Sequence, residues 1–132
     1  CTTQRNLSVD GRRQAKRAGE IVRAAGIQID FVWSSQWCRC LDTAHALELG
    51  EVIEETALNS FSAARWKATA RTRHLKELLA ALPPGRTAFL VTHNVNSEAL
   101  TGVRPIPGEI QIVQTSETGE ITLLGSVRIP AF

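Results

Sequence analysis

Between Pro83-Pro84-Gly85 and Gly102 the chain reads Arg-Thr-Ala-Phe-Leu-Val-Thr-His-Asn-Val-Asn-Ser-Glu-Ala-Leu-Thr-Gly. The Pro-Pro-Gly stretch ends any helix that precedes it. Thr87 to Thr92 then has the apolar, β-branched content of a buried strand. His93 stands where that strand stops, and a short helix is expected over about 96–100, closed by Gly102. A strand that passes within a few residues into a helix is the unit from which parallel sheets are assembled.

The rest of the chain repeats this logic. Ser8 is a good N-cap, Asp10 suits the positive end of a helix dipole, and Ala15, Ala18, Ile21, Val22 and Ala25 recur at helical spacing before Gly26. A helix is therefore expected over about 9–25. Ile29 to Trp33 reads as a short strand ending at Ser34-Ser35, and a second helix is expected over about 37–49, closed by Gly50. Val52-Ile53 suits a short strand, and 59–63 a loop. Leu75, Leu78, Leu79 and Leu82 mark one side of a helix over about 64–82. The tail alternates apolar and polar residues over 109–115 and 120–128 around Glu117-Thr118-Gly119, an antiparallel hairpin. Strands alternating with helices predict one α/β domain over residues 1–132, its sheet mostly parallel with the hairpin added.

Composition removes several function classes. Fifteen basic and thirteen acidic residues leave a net charge of +2, too small to argue for nucleic acid. Arg12, Arg13, Lys16, Arg17 and Arg23 cluster, but on a helix they read as a solvated face. No apolar run approaches the ~20 residues that span a bilayer. Cys1, Cys38 and Cys40 are too few for a disulfide framework. A single bridge from Cys1 to Cys38 or Cys40, or free buried thiols, both fit. Cys-x-Cys departs from the usual zinc spacing and on a helix sends its sulfurs roughly 200° apart, so no metal site is assigned. The Cys-x₅-Arg spacing of cysteine phosphatases is missing as well.

Ligands of open α/β sheets gather at the carboxyl ends of the strands. Ser34-Ser35 and His93-Asn94 are delivered there, and Arg39 comes one helical turn later, beside a helix N-terminus whose free amides attract anions. Arginine adds a planar fork that fits phosphate oxygens. Arg5-Asn6, just before the first helix, is placed to reach the same rim. These residues together predict an oxyanion or phosphate pocket. His45 and His74 lie inside helices with no matching partner and receive no role. Trp33, Trp37 and Trp66 are expected in the core or pocket wall.

Taken in order, these segments resemble the histidine phosphatase superfamily, with its three-layer α/β/α, phosphoglycerate-mutase-like fold. "NLSVDGRRQAKRAG" is similar to the family's Leu-Thr/Ser-x-x-Gly-x-x-Gln-Ala helix start, through Leu7, Ser8, Gly11, Gln14 and Ala15. "VWSSQWCRCLDTA" is similar to Ser-Ser-x-x-x-Arg-x-x-x-Thr-Ala, through Ser34, Ser35, Arg39, Thr43 and Ala44. "FLVTHNVNSEALTG" resembles the strand that delivers the family's second catalytic histidine, here His93. The "CTTQRNLS" and "WCRC" variants look like a small bacterial subgroup.

The resemblance implies phosphoryl transfer to a histidine without metal or cofactor, on a phosphorylated small molecule or a phosphoprotein. It makes Arg39 and His93 the catalytic phosphate-binding pair, with Asn94, Arg5 and Ser35 as weaker phosphate-binding candidates. The family's nucleophile lies in an Arg-His-Gly motif ending the first, central strand, and these 132 residues contain no such motif. The chain also lacks methionine, even at position 1. An upstream segment carrying that strand and nucleophile is therefore expected, as is a non-catalytic phosphate-binding module should it not exist. Glu54, Glu55 and Glu98 are available as leaving-group acid, and none matches the family motif. Substrate, oligomeric state and a cytoplasmic or periplasmic location are left open by the sequence. The short 59–71 segment predicts an open, shallow pocket.

Overall fold

The computed structural model describes residues 1–130. Its elements run α1 (Val9–Ala24), β1 (Phe31–Ser34), α2 (Cys38–Leu47), β2 (Val52–Glu54), α3 (Ala68–Ala80), β3 (Ala88–Val91), α4 (Asn94–Thr101), β4 (Glu109–Thr115) and β5 (Ile121–Arg128), with short 3₁₀ turns at Thr56–Leu58 and Arg65–Lys67. Strands β2, β1 and β3 pair in that order, both pairings parallel. Strands β4 and β5 form a separate antiparallel hairpin with a bulge between Ile112 and Val113.

Strand alternation explains the layers. Successive side chains point to opposite faces of a sheet. Val32, Phe89 and Val91 pack on one face with Ala18 and Ile21 of α1 and Ala44 and Leu47 of α2. Phe31, Trp33, Ala88 and Leu90 pack on the other with Leu75, Leu78 and Leu79 of α3 and Leu100 of α4. The fold is thus three-layered, α/β/α. The hairpin contributes to both cores, through Ile110 beside Ile129 in the first and Ile121 in the second.

The helix ends have local causes. The Ser8 side chain accepts a hydrogen bond from the Gly11 amide at 2.9 Å and starts α1. Helix α2 ends at Leu47, two residues short of the expected limit, because Glu48 turns left-handed (φ 51°). Arg23 of α1, itself exposed, then donates to the carbonyls of Leu47 (2.7 Å) and Glu48 (2.9 Å), so one member of the basic cluster also serves as a helix cap. The segment expected as one helix over 64–82 divides into the 3₁₀ turn and α3, and Trp66 is 80% exposed, not in the core or pocket wall. Helix α4 starts at Asn94, directly after His93, earlier than its periodicity suggests.

Helices α1 and α2 cross closely because residue 19 is glycine. A β-carbon there would overlap the Leu47 carbonyl oxygen.

Candidate functional site

Strands β1 and β3 lie side by side, with Ser34 opposite Val91, so the residues just past each strand reach one rim. Ser35, after β1, is fully buried, and His93, after β3, is 8% exposed. His93 Nε2 lies 2.9 Å from Ser35 Oγ, and Arg39 Nη2 lies 3.3 Å from His93 Nδ1. The Trp37 ring meets the imidazole edge-on at a centroid distance of 4.8 Å, and the Arg39 guanidinium sits 4.9 Å above the same indole. Trp37 therefore holds both partners in place by edge-to-face and cation–π contact.

The protons of this cluster are set by its obligate donors. Arginine has no acceptor, so the Arg39 contact favours the lone pair of His93 on Nδ1 and its proton on Nε2. The imidazole is neutral: burial, reinforced by the Arg39 charge, lowers its pKa from 6.5 to about 4. The Cys40 thiol, 3.6 Å from Nε2, is also kept protonated, its pKa raised by burial against smaller opposing effects from Ser35 and Arg39. It points to the Thr92 carbonyl at 3.7 Å.

The residues expected at the rim divide. Arg39, His93 and Ser35 are brought together. Asn94 opens α4, but its side chain makes no hydrogen bond to them among the described residues. Asn96, further into the same turn and 3% exposed, is the buried asparagine there, and its Nδ2 donates to the Asn59 carbonyl at 2.9 Å. Arg5 is exposed and makes no hydrogen bond or ion pair with Arg39, His93 or Ser35. Its neighbour Gln4 makes the contact instead, its Oε1 accepting from the Cys38 amide at 2.8 Å, so that amide is not open to an anion.

A Cys1–Cys38 disulfide fastens the same N-terminal strap to the start of α2, which settles the pairing and leaves Cys40 as the buried free thiol. With Cys38 in that bridge, a Cys38/Cys40 metal site has no free thiolate pair. Glu54 and Glu98 are exposed, and Glu98 pairs with Arg104 at 3.6 Å. Glu55 is held at the end of β1 by its amide, which donates to the Ser34 carbonyl at 2.8 Å.

Asn59 is the residue that motif reading missed. Its Oδ1 accepts from the Gln36 amide at 2.8 Å and lies 3.2 Å from Ser35 Oγ, while its Nδ2 donates to Gln36 Oε1 at 2.9 Å. Its carbonyl also accepts from Arg71 at 3.0 Å. A lone asparagine in a loop carries no periodic or spacing signal that would single it out.

The family model for the histidine phosphatase superfamily (branch 1) matches residues 2–76, more than half of the chain. The chain belongs to the histidine phosphatase superfamily. Among solved structures, this histidine phosphatase superfamily member is similar to the protein histidine phosphatase SixA complexed with tungstate, with a TM-score of 0.74 at 15% identity, over 94% of this chain and 84% of that one. It is also similar to a structure described as mycobacterial hydrolase 1 (TM-score 0.56, 27% identity, 72% of this chain and 66% of that one). A third is a mycobacterial glucosyl-3-phosphoglycerate phosphatase (TM-score 0.54, 24% identity, 72% and 65%). No curated protein sequence gives a match. The superfamily and two of these neighbours are phosphatases, and the likeness to SixA establishes the phosphoglycerate-mutase-like architecture.

Proposed function

We propose that this chain belongs to a metal-independent phosphohydrolase that works through a phosphohistidine intermediate, its nucleophile supplied by a segment upstream of Cys1. The observation that carries the reading is the Arg39–His93 pair, a permanent cation and a basic nitrogen 3.3 Å apart at the carboxyl ends of the parallel strands. A phosphoryl transition state asks mainly for positioned donors around its equatorial oxygens. Arg39 offers a planar fork to two of them. His93 offers Nδ1, which becomes a donor once protonated, and a bound dianion favours that protonation by opposing burial and the Arg39 charge.

In the first step the bond from phosphorus to the leaving group breaks (phosphorus–oxygen in a phosphomonoester, phosphorus–nitrogen in a phosphohistidine protein), a phosphorus–nitrogen bond forms to the upstream histidine, and the leaving atom takes up a proton. In the second, water attacks phosphorus, the phosphorus–nitrogen bond breaks, and inorganic phosphate leaves. The substrate class is a phosphorylated small molecule or a phosphoprotein. Supporting the upstream strand, β3 has no strand partner on the edge away from β1 among the described residues, and the hairpin is likewise unpaired with the main sheet. The test is turnover of a phosphomonoester, and of a phosphohistidine protein, by the longer protein. Arg39→Ala and His93→Ala should each lower it at least about a hundredfold while the fold persists. Near-normal turnover in both variants overturns the reading.

A second reading, a non-catalytic phosphate-binding module, rests on the same Arg39–His93 pair used for anion binding alone. It predicts oxyanion binding that depends on Arg39 and His93 with no turnover in any longer form.

A further inference from the structure

Two obligate donors bracket the hydrogen-bond chain through His93, and together they fix every proton in it. At one end Arg39 can only donate, so Nδ1 accepts. At the other the Gln36 backbone amide can only donate, so the atom of Asn59 that faces it is the oxygen Oδ1. That oxygen also lies 3.2 Å from Ser35 Oγ. The Ser35 hydroxyl proton is thereby directed to Asn59. The Ser35 oxygen is left to accept, from the Trp37 amide at 3.2 Å and from His93 Nε2–H at 2.9 Å. Remove the Asn59 acceptor and the hydroxyl is free to turn round and donate to Nε2. The ring would then carry its proton on Nδ1, facing the Arg39 N–H groups.

We propose that Asn59 is a positioning residue: acting through Ser35, it makes Nδ1 the only nitrogen of His93 that can take up a proton, and so aims that proton at the phosphoryl pocket instead of the protein interior. The surroundings offer few competing charges. Arg39 and Cys40 are the titratable groups that face the ring from α2; Trp37 and Asn59 are neutral, as are Asn94 and Asn96 in the first turn of α4. The Asn59 amide is itself held on all sides, by Gln36 at both ends of its side chain and by Asn96 and Arg71 at its carbonyl. It can therefore impose an orientation on Ser35 instead of adopting one. The use of that proton rests on the reading of Arg39 and His93 as a phosphoryl site; the proton assignment does not.

Long-range ¹H–¹⁵N correlation of the His93 ring in the labelled chain separates the two. In the unsubstituted protein the neutral ring should be the Nε2–H tautomer. Asn59→Ala should lower the ratio of Nε2–H to Nδ1–H at least tenfold. Asn59→Asp, which keeps the acceptor, should restore the tautomer and raise the His93 pKa by adding a negative charge. A residue that only braced the loop would not show this rescue. Should Asn59→Ala fail to fold, Asn59→Leu, close to asparagine in size and also without the acceptor, should show the same loss of Nε2–H. An unchanged tautomer ratio in either variant overturns the proposal. Tungstate, added to the unsubstituted protein, should raise the His93 pKa. If it does not bind at all, the phosphoryl reading falls while the tautomer result still decides the role of Asn59.

Discussion

Arg39 and His93 are 54 positions apart in the chain, yet Nη2 of one lies 3.3 Å from Nδ1 of the other. Parallel pairing of β1 with β3 brings them together, and the Trp37 ring keeps them so. The pair should bind tetrahedral oxyanions before any chemistry. Calorimetry with tungstate is expected to show at least tenfold weaker binding for Arg39→Ala. Arg39→Lys should recover only part of the loss, because lysine restores the charge but not the two-pronged geometry or the stacking on Trp37. Equal affinity in Arg39→Lys and the unsubstituted protein would mean that charge alone suffices.

Acid should unfold this protein partly through His93. Its folded pKa of about 4 lies below the ordinary 6.5, so between those values the unfolded chain binds more protons than the folded one. The contribution of the neutral ring is complete above about pH 6.5 and is lost as pH falls towards 4, at a limiting slope of about 1.4 kcal/mol per pH unit. The loss over the window is roughly 2–3 kcal/mol. Urea unfolding at pH 7, 5.5 and 4 should therefore show a steeper decline for the unsubstituted protein than for His93→Asn. The lowered carboxyl groups of Asp30 (chiefly through the Thr87 amide) and Glu109 (chiefly through the Ile106 amide) are common to both and cancel in the comparison.

Gly19 sets the distance between α1 and α2. Gly19→Ala should cost about 2–3 kcal/mol by overpacking, since a methyl group there overlaps backbone rather than a side chain that could swing away. Gly125→Ala, where no heavy atom lies within 4 Å, is the matched control and should be close to neutral. Parallel losses at both sites in denaturant melts would refute close packing as the cause.

The Cys1–Cys38 bridge spans 37 positions, which by loop-closure entropy places its contribution at about 2–4 kcal/mol. Reduction should lower the unfolding midpoint accordingly. Cys40→Ser is the control for the remaining thiol and should leave the effect of reductant on stability intact.

Much of the fold is readable from residue pattern. The Ser8 cap, the apolar spacing of α1, the Pro83-Pro84-Gly85 stop and the hairpin are local signals, and each element stands close to its expected place. Arg39, Ser35 and His93 are legible because they come soon after strands, and a parallel sheet carries such positions to one edge. The features that sequence hides depend on meetings between distant segments. Arg23 caps the early end of α2 by reaching across from α1. Gln4 takes the amide at the start of α2, and Asn59 takes the Ser35 hydroxyl; neither polar residue announces its partner in sequence. Trp66 misleads for the opposite reason, since a large aromatic residue suggests burial but is here 80% exposed on a 3₁₀ turn.

The outer side of β3 ends in a row of main-chain donors and acceptors that β1 does not use, a few residues before the imidazole. Such a row reads main-chain geometry and not side-chain identity, so a strand need not be covalently joined to be received there. On the proposed reading of the site, a synthetic peptide bearing an apolar run that ends in Arg-His-Gly, mixed with this chain, is expected to reconstitute turnover of a phosphomonoester from two separate pieces.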